Sequence, residues 1–177
     1  MRGCRRIISL TSLLVLPCVC AVVVSGCGYR PLGEGGLPHG IQRLHLAALT
    51  NGTFKPGVQG IVGAAMLRRL QFDGRVSVTS ETAADAVLGG TLTTYQNEPI
   101  AFEQADIGRR FRVRLTLLLT LTDRRGGTAW LTEEVTGEAY YTAGTGVTAT
   151  RASEEEATQR AAQDLATRVL ARLMDDL

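Results

Sequence analysis

Lysine, histidine, cysteine and aromatic residues are all scarce in this chain. It contains one lysine, Lys55, against 18 arginines, and two histidines, His39 and His45. Aromatics make up 5% of its 177 residues. All four cysteines, Cys4, Cys18, Cys20 and Cys27, lie within the first 27 positions. Each scarcity excludes something. With no cysteine after Cys27, the downstream chain can form neither an internal disulfide nor a thiolate metal site. Two isolated histidines offer no His/Asp/Glu metal spacing, and no nucleophile elbow or Gly-rich phosphate loop occurs. His39 falls in a Gly/Pro stretch, and His45 alternates with Leu44 and Leu46. No catalytic residue, metal or cofactor is expected. A charged fraction of 20% beside 45% apolar residues excludes both a disordered chain and a polytopic membrane protein. This length suits one domain plus an appendage.

The start of the chain reads as an export signal. Arg2, Arg5 and Arg6 form a cationic n-region, and Ile7 to Val24 is apolar or small, interrupted by Pro17. The run ends in Val24-Ser25-Gly26-Cys27, which resembles the lipobox of bacterial lipoproteins. Small residues let an extended chain enter a protease site, and the Cys27 thiol accepts a diacylglyceryl group. Several acyl chains on Cys27 would anchor the protein stably, because each buried CH₂ contributes about 0.8 kcal/mol. Removal of residues 1–26 deletes three arginines and no acid, so the formal charge of +2 becomes −1. The precursor's positive charge therefore gives no reason to expect a nucleic-acid partner. By the sorting rule of many such lipoproteins, Gly28 after the cysteine implies passage to the outer membrane. Residues 27–40 carry Pro31, Pro38 and five glycines and read as a lipidated flexible tether. The folded domain is expected over residues 41–177.

Within that domain, Ile41, Leu44, Leu46 and Leu49 mark a first strand, and Thr50-Asn51-Gly52-Thr53 a loop. Pro56 suits a first helical turn. Val58, Ile61, Val62, Ala65, Met66 and Leu70 follow helical spacing up to Asp73-Gly74. Gly60 and Gly63 weaken that helix and suggest close approach to a sheet. Strands are expected over 75–79 and 86–95, then a polar loop over 96–108. The clearest strand runs from Phe111 to Thr122. Phe111, Val113, Leu115, Leu117, Leu119 and Leu121 share one face, and Arg110, Arg112, Arg114, Thr116, Thr120 and Thr122 the other. Asp123 to Gly127 reads as a hairpin turn, with Thr128 to Tyr141 returning. The expected register opposes Leu119 to Leu131 and Arg112 to Glu138, and turns Glu133 inward at a bulge or an edge. Ser153 and Glu156 suggest a capping box opening a last helix, with Glu154 and Glu155 beside its positive end. The pattern gives an α+β sandwich: two helices on one face of a four- to five-stranded mixed or antiparallel sheet, in the order β-α-β-β-β-β-α.

The lipobox with Cys27-Gly28-Tyr29-Arg30, then Thr50-Asn51-Gly52-Thr53 before the helix from Val58, form one set of signposts. Ala84-Asp85-Ala86-Val87-Leu88-Gly89-Gly90, the arginine-leading strand, the hairpin with Trp130, Gly137-Glu138-Ala139-Tyr140-Tyr141 and Ala152-Ser153-Glu154-Glu155 complete it. In this order they resemble the LptE family of lipopolysaccharide-assembly lipoproteins. The resemblance implies two helices on a four-stranded sheet. It also implies an outer-membrane lipoprotein that sits as a plug inside the β-barrel subunit LptD, helps assemble it, and binds lipopolysaccharide on its way to the outer leaflet.

Arginine is the residue type with chemical potential here, because its planar fork pairs bidentately with phosphate. Arg109, Arg110, Arg112, Arg114 and Arg151 are the lipopolysaccharide-binding candidates. Arg151 best matches the family's basic position before the last helix, where an N-terminus would add to an anion site. For Arg112 and Arg114, cross-strand pairing with Glu138 and Glu134 is the favoured alternative. Glu103 and Asp106 place acids in the preceding loop. Trp130 and Tyr140 are partner-interface candidates, since interfaces favour aromatics and arginine. A regulator of a periplasmic cell-wall synthase is a second reading. A tether of about 13 residues argues against it, reaching only ~3.3–3.6 Å per residue. A lipid-anchored hydrolase is disfavoured by the missing constellation.

Overall fold

The computed structural model describes residues 40–101, 110–124 and 129–175. Cys27, the tether, Arg109, Glu103, Asp106 and the Trp130 side chain lie outside them. The elements are β1 (Arg43–Leu46), β2 (Thr50–Asn51), α1 (Val58–Asp73), β3 (Ser77–Val78), a 3-10 turn (Glu81–Ala83), β4 (Ala86–Ala101), β5 (Arg110–Asp123), β6 (Ala129–Thr142) and α2 (Val147–Asp175). They form one six-stranded mixed sheet in the order β3-β1-β4-β5-β6, with β2 also on β4. β1 and β2 run parallel to β4, and β4, β5 and β6 form an antiparallel meander. Both helices pack against the sheet. The count exceeds the expected four or five strands because the first strand breaks after Leu46. Ala47 N–H bonds Leu88 O at 2.8 Å, and pairing resumes at Thr50 opposite Thr91.

The period-2 pattern of β5 decides which face is inside. Val113, Leu115, Leu117, Leu119 and Leu121 are all completely buried. Each such leucine contributes about 1.5–3 kcal/mol relative to exposure. From α1, Val58, Val62, Ala65, Met66 and Leu70 enter the same core. From α2 come Ala157, Ala161, Ala162, Leu165, Ala166, Val169, Leu170 and Leu173, the full set that helical spacing selects. Gly74, at φ 72°, ends α1 by donating its N–H to Leu70 O at 3.3 Å. The small residues of α2 let it lie close to β6. At Gly137 the approach is so tight that a Cβ there would stand 2.4 Å from Ala161 O.

Several local expectations are corrected. The helix α1 starts at Val58 after an αL Gly57, so Pro56 lies in the preceding turn. Gly60 and Gly63 do not mediate close packing: a Cβ at either would meet nothing within 4 Å. β4 does not stop at Tyr95 but continues through Pro99 to Ala101. Beyond Leu92 it has a described partner only on its β5 side, so proline's missing donor costs no ladder bond there. The β5–β6 register differs by two residues. Leu119 opposes Glu133, Leu121 opposes Leu131, Arg114 opposes Glu138 and Arg112 opposes Tyr140. A bulge next to the turn, with Trp130 extra between the Leu121–Leu131 and Thr122–Ala129 pairs, accounts for one of those two residues. Glu133 does point inward, on an edge strand as expected, 3.6 Å from Arg172 Nε of α2. α2 begins six residues before Ser153, whose hydroxyl donates to Ala149 O at 3.0 Å within the helix. The expected capping box is therefore absent, because residues 147–152 continue the helix instead of forming a loop.

Asp85 fastens β1 to β4. Its Oδ2 accepts N–H bonds from Arg43 at 3.0 Å and Gln42 at 3.3 Å, and its Oδ1 takes Arg43 Nη2 at 2.8 Å. The Arg43 guanidinium and these amides hold the Asp85 carboxyl well below the usual carboxylate range. A depressed pKa means stability that is present above the unfolded value near 3.8 and lost as pH falls toward the folded one. Asp85→Asn is therefore expected to melt earlier than wild type at neutral pH, with the gap closing below about pH 4. Paired melting curves across pH check this; a gap that widens in acid would contradict it.

Candidate functional site at the arginine end of the sheet

β4 ends, β5 begins, β6 ends and α2 begins at one end of the sheet, which brings most of the candidate residues together. On the outer face, cross-strand rows place Gln96, Arg114 and Glu138 side by side, and Glu98, Arg112 and Tyr140 beside them. Arg112 binds Glu98, with Nε 3.1 Å from Oε1 and Nη2 closer still, and its Nη1 lies 3.9 Å from Glu138 Oε2. Arg114 Nε bonds Glu138 Oε1 at 2.7 Å. The Arg112 guanidinium lowers the pKa of Glu98, and Glu98 in turn raises that of Arg112. Arg112 and Arg114 are thus neutralised by two carboxylates, with Arg114, not Arg112, as the principal partner of Glu138. Glu98, in the stretch read as a loop, is a partner the sequence reading missed. A phosphate at this row would have to displace carboxylates already in place.

Arg110 and Arg151 differ from that pair. Both are exposed, and neither has an ion-pair partner among the described residues. Arg110 stands opposite Ala101 and Thr142 at the start of β5. Arg151 is the fifth residue of α2 and no longer precedes its N-terminus, so the amide-plus-guanidinium site expected there is not formed. Tyr140 is half-exposed on the outer face, its hydroxyl 3.3 Å from Glu138 Oε2. Trp130, at the start of β6, is at the opposite end of that strand.

A second polar cluster was not foreseen. Lys55 Nζ bonds Glu154 Oε1 at 2.7 Å and lies 5.3 Å from the centre of the Tyr95 ring. The Tyr95 hydroxyl donates to Glu154 at 2.8 Å and lies 3.2 Å from the Thr158 hydroxyl. Burial works to raise the Glu154 pKa, but the bonds from Lys55 and Tyr95 prevail and lower it. Glu154 therefore tethers the β2–α1 loop to α2, where sequence spacing had placed it beside a dipole. His45 Nδ1 lies 3.0 Å from Thr79 O, a structural contact. No group of three or more potential metal ligands occurs among the described residues.

These features define a small α+β sandwich whose most prominent polar feature is an arginine-rich sheet end. Solved structures share the fold. A putative lipoprotein from Caulobacter crescentus is 14% identical with a TM-score of 0.53, covering 72% of this chain and 88% of its own. Lipoprotein B from Nitrosomonas europaea is 15% identical with a TM-score of 0.53, covering 84% and 90%. A protein from Xanthomonas campestris is 10% identical with a TM-score of 0.54, also covering 84% and 90%. No curated protein sequence matches significantly. The LptE family profile, described as lipopolysaccharide-assembly, matches residues 41–173, and the chain belongs to that family.

Proposed function

We propose that this protein is the outer-membrane lipoprotein subunit of a lipopolysaccharide translocon. In this reading it is anchored through acyl chains on Cys27, plugs and helps assemble the β-barrel subunit LptD, and binds lipopolysaccharide in transit. The family assignment over residues 41–173 carries the reading. Among the described residues Arg110 and Arg151 form no ion pair, unlike Arg112 and Arg114, and an exposed guanidinium can pair with phosphate, which supports the reading. Arg109 is adjacent in sequence to Arg110 and joins the same candidate set. Tyr140 offers a partly exposed aromatic for the barrel wall, and Trp130 a second aromatic at the far end of β6.

The binding test uses the full chain in detergent with labelled lipopolysaccharide. Arg110→Glu combined with Arg151→Glu is expected to weaken binding at least tenfold, each lost charge-assisted contact being worth about 1.5–3 kcal/mol. Circular dichroism should be unchanged, because both side chains are exposed. Equal affinity in the double variant would leave both as surface arginines. Purification of the tagged chain from solubilised outer membrane is expected to recover a large β-barrel; a peptidoglycan synthase in its place would favour the regulator reading. Cys27→Ala is expected to leave the precursor unprocessed and unanchored. Normal acylation of that variant would remove the basis for the proposed anchor.

A further inference from the structure

β6 is an edge strand, and its two halves are treated differently. In the upper half, α2 supplies what a neighbouring strand would. Asp164 Oδ2 accepts the Glu138 N–H at 3.0 Å, and Arg160 Nη2 donates to Tyr140 O at 2.9 Å. Those two bonds also show which residues point their backbone groups outward. Because the pairing of β6 with β5 is regular from Leu131 to Thr142, the even-numbered residues Thr132, Glu134 and Thr136 point their N–H and C=O groups the same way. None of these groups has a hydrogen-bond partner among the described residues. The lower half is thus an open backbone edge of about 20 Å, bounded above by the α2 caps and below by the bulge at Trp130.

Side chains along this window specify what fits. On the outer face Glu134 is exposed between Thr132 and Thr136 and is the window's single charge there. On the inner face are Leu131, Glu133 and Val135. Glu133 faces Arg172 of α2 through Oε1 at 3.6 Å, and its Oε2 is buried without a hydrogen bond among the described residues. A second copy fits badly, because antiparallel self-pairing centred on Glu134 sets two carboxylates opposite each other. We propose that residues 131–136 accept, by strand addition, an extended segment of a protein partner that places a basic residue opposite Glu134 and an apolar residue toward the partly buried Leu131. Main-chain bonds supply the attachment, and the alternation of charge and apolar contact supplies the selectivity. The proposal does not depend on lipopolysaccharide binding.

The test takes the full chain in detergent micelles with two short synthetic peptides, one alternating valine and arginine, the other valine and glutamate. Amide hydrogen exchange and affinity are read together. The arginine peptide is expected to bind and to slow exchange at Thr132, Glu134 and Thr136, and the glutamate peptide to do neither. Glu134→Gln keeps the N–H and loses the charge, so its affinity should fall about two- to fivefold. Glu134→Pro removes an outward N–H that β5 does not use, a substitution edge strands tolerate, and binding should be lost with the fold intact. Thr132→Pro does the same from a second position if the first variant unfolds. If neither peptide slows exchange, or if the proline variants bind like wild type, the strand-acceptor role is overturned. The two glutamates would then serve only to keep sheet edges apart.

Discussion

Gly137→Val is expected to destabilise the domain by about 3 kcal/mol or more, enough to consume a large part of a typical domain's stability. A Cβ on Gly137 would sit 2.4 Å from Ala161 O, 2.5 Å from Leu165 N and 2.6 Å from Leu165 Cβ. Two of these are backbone atoms in the middle of α2, so no side-chain rotation relieves the clash. The helix has to move off the sheet or β6 has to bend. Moving α2 also breaks the bonds from Asp164 to Glu138 N–H and from Arg160 to Tyr140 O. Gly137→Ala should show the same defect at smaller size. Chemical denaturation of wild type and both variants measures it, and unchanged midpoints would mean that α2 does not approach β6 as described.

Leu117→Asp is expected to unfold the domain outright. Leu117 has no exposed surface and lies mid-strand between Leu92 on β4 and Val135 on β6. No cationic side chain is available on that face of the three-strand row. An unpaired carboxylate there loses its hydration without compensation, a cost of several kcal/mol on top of the roughly 2–5 kcal/mol of lost packing. Protonating the carboxyl reduces the penalty, so residual structure should be recovered in acid. A wild-type melting temperature at neutral pH would mean that the apolar face of β5 is not the core face.

The parts of this architecture that the sequence made legible are those governed by local periodicity. The alternation from Phe111 to Leu121 identified the buried face of β5, and helical spacing identified the buried residues of both helices, because each pattern is set by an element's own geometry. What escaped depended on partners far away or on competition at element ends. Ser153-Glu154-Glu155-Glu156 looked like a helix start, yet Val147 to Ala152 carry no residue that forbids helix, and α2 simply begins earlier. Of the two-residue slip in the hairpin register, one residue is the bulge at Trp130, which no local pattern announces. Glu98 was read as loop because Pro99 follows it, whereas an edge position tolerates the proline. In the candidate site, cross-strand neutralisation of Arg112 and Arg114 was foreseen in kind, but Glu138 pairs chiefly with Arg114, and Arg112 takes Glu98 from β4 instead of a β6 glutamate. Lys55 and Glu154 are 99 residues apart, and no local pattern in sequence announces such a pair.

The parallel pairing of β1 with β4 also bears on the order in which the protein folds. The meander β4-β5-β6 and the helix α2 that covers it are contiguous, so their contacts close short loops. β1 meets β4 only by bringing Leu44 to Ala86 across the whole of α1 and β3. Loop-closure entropy makes such a contact late unless other elements have already shortened the search. Docking of β1 therefore follows the meander and precedes β3, which joins the sheet only through β1, and the Asp85–Arg43 clasp closes with that step.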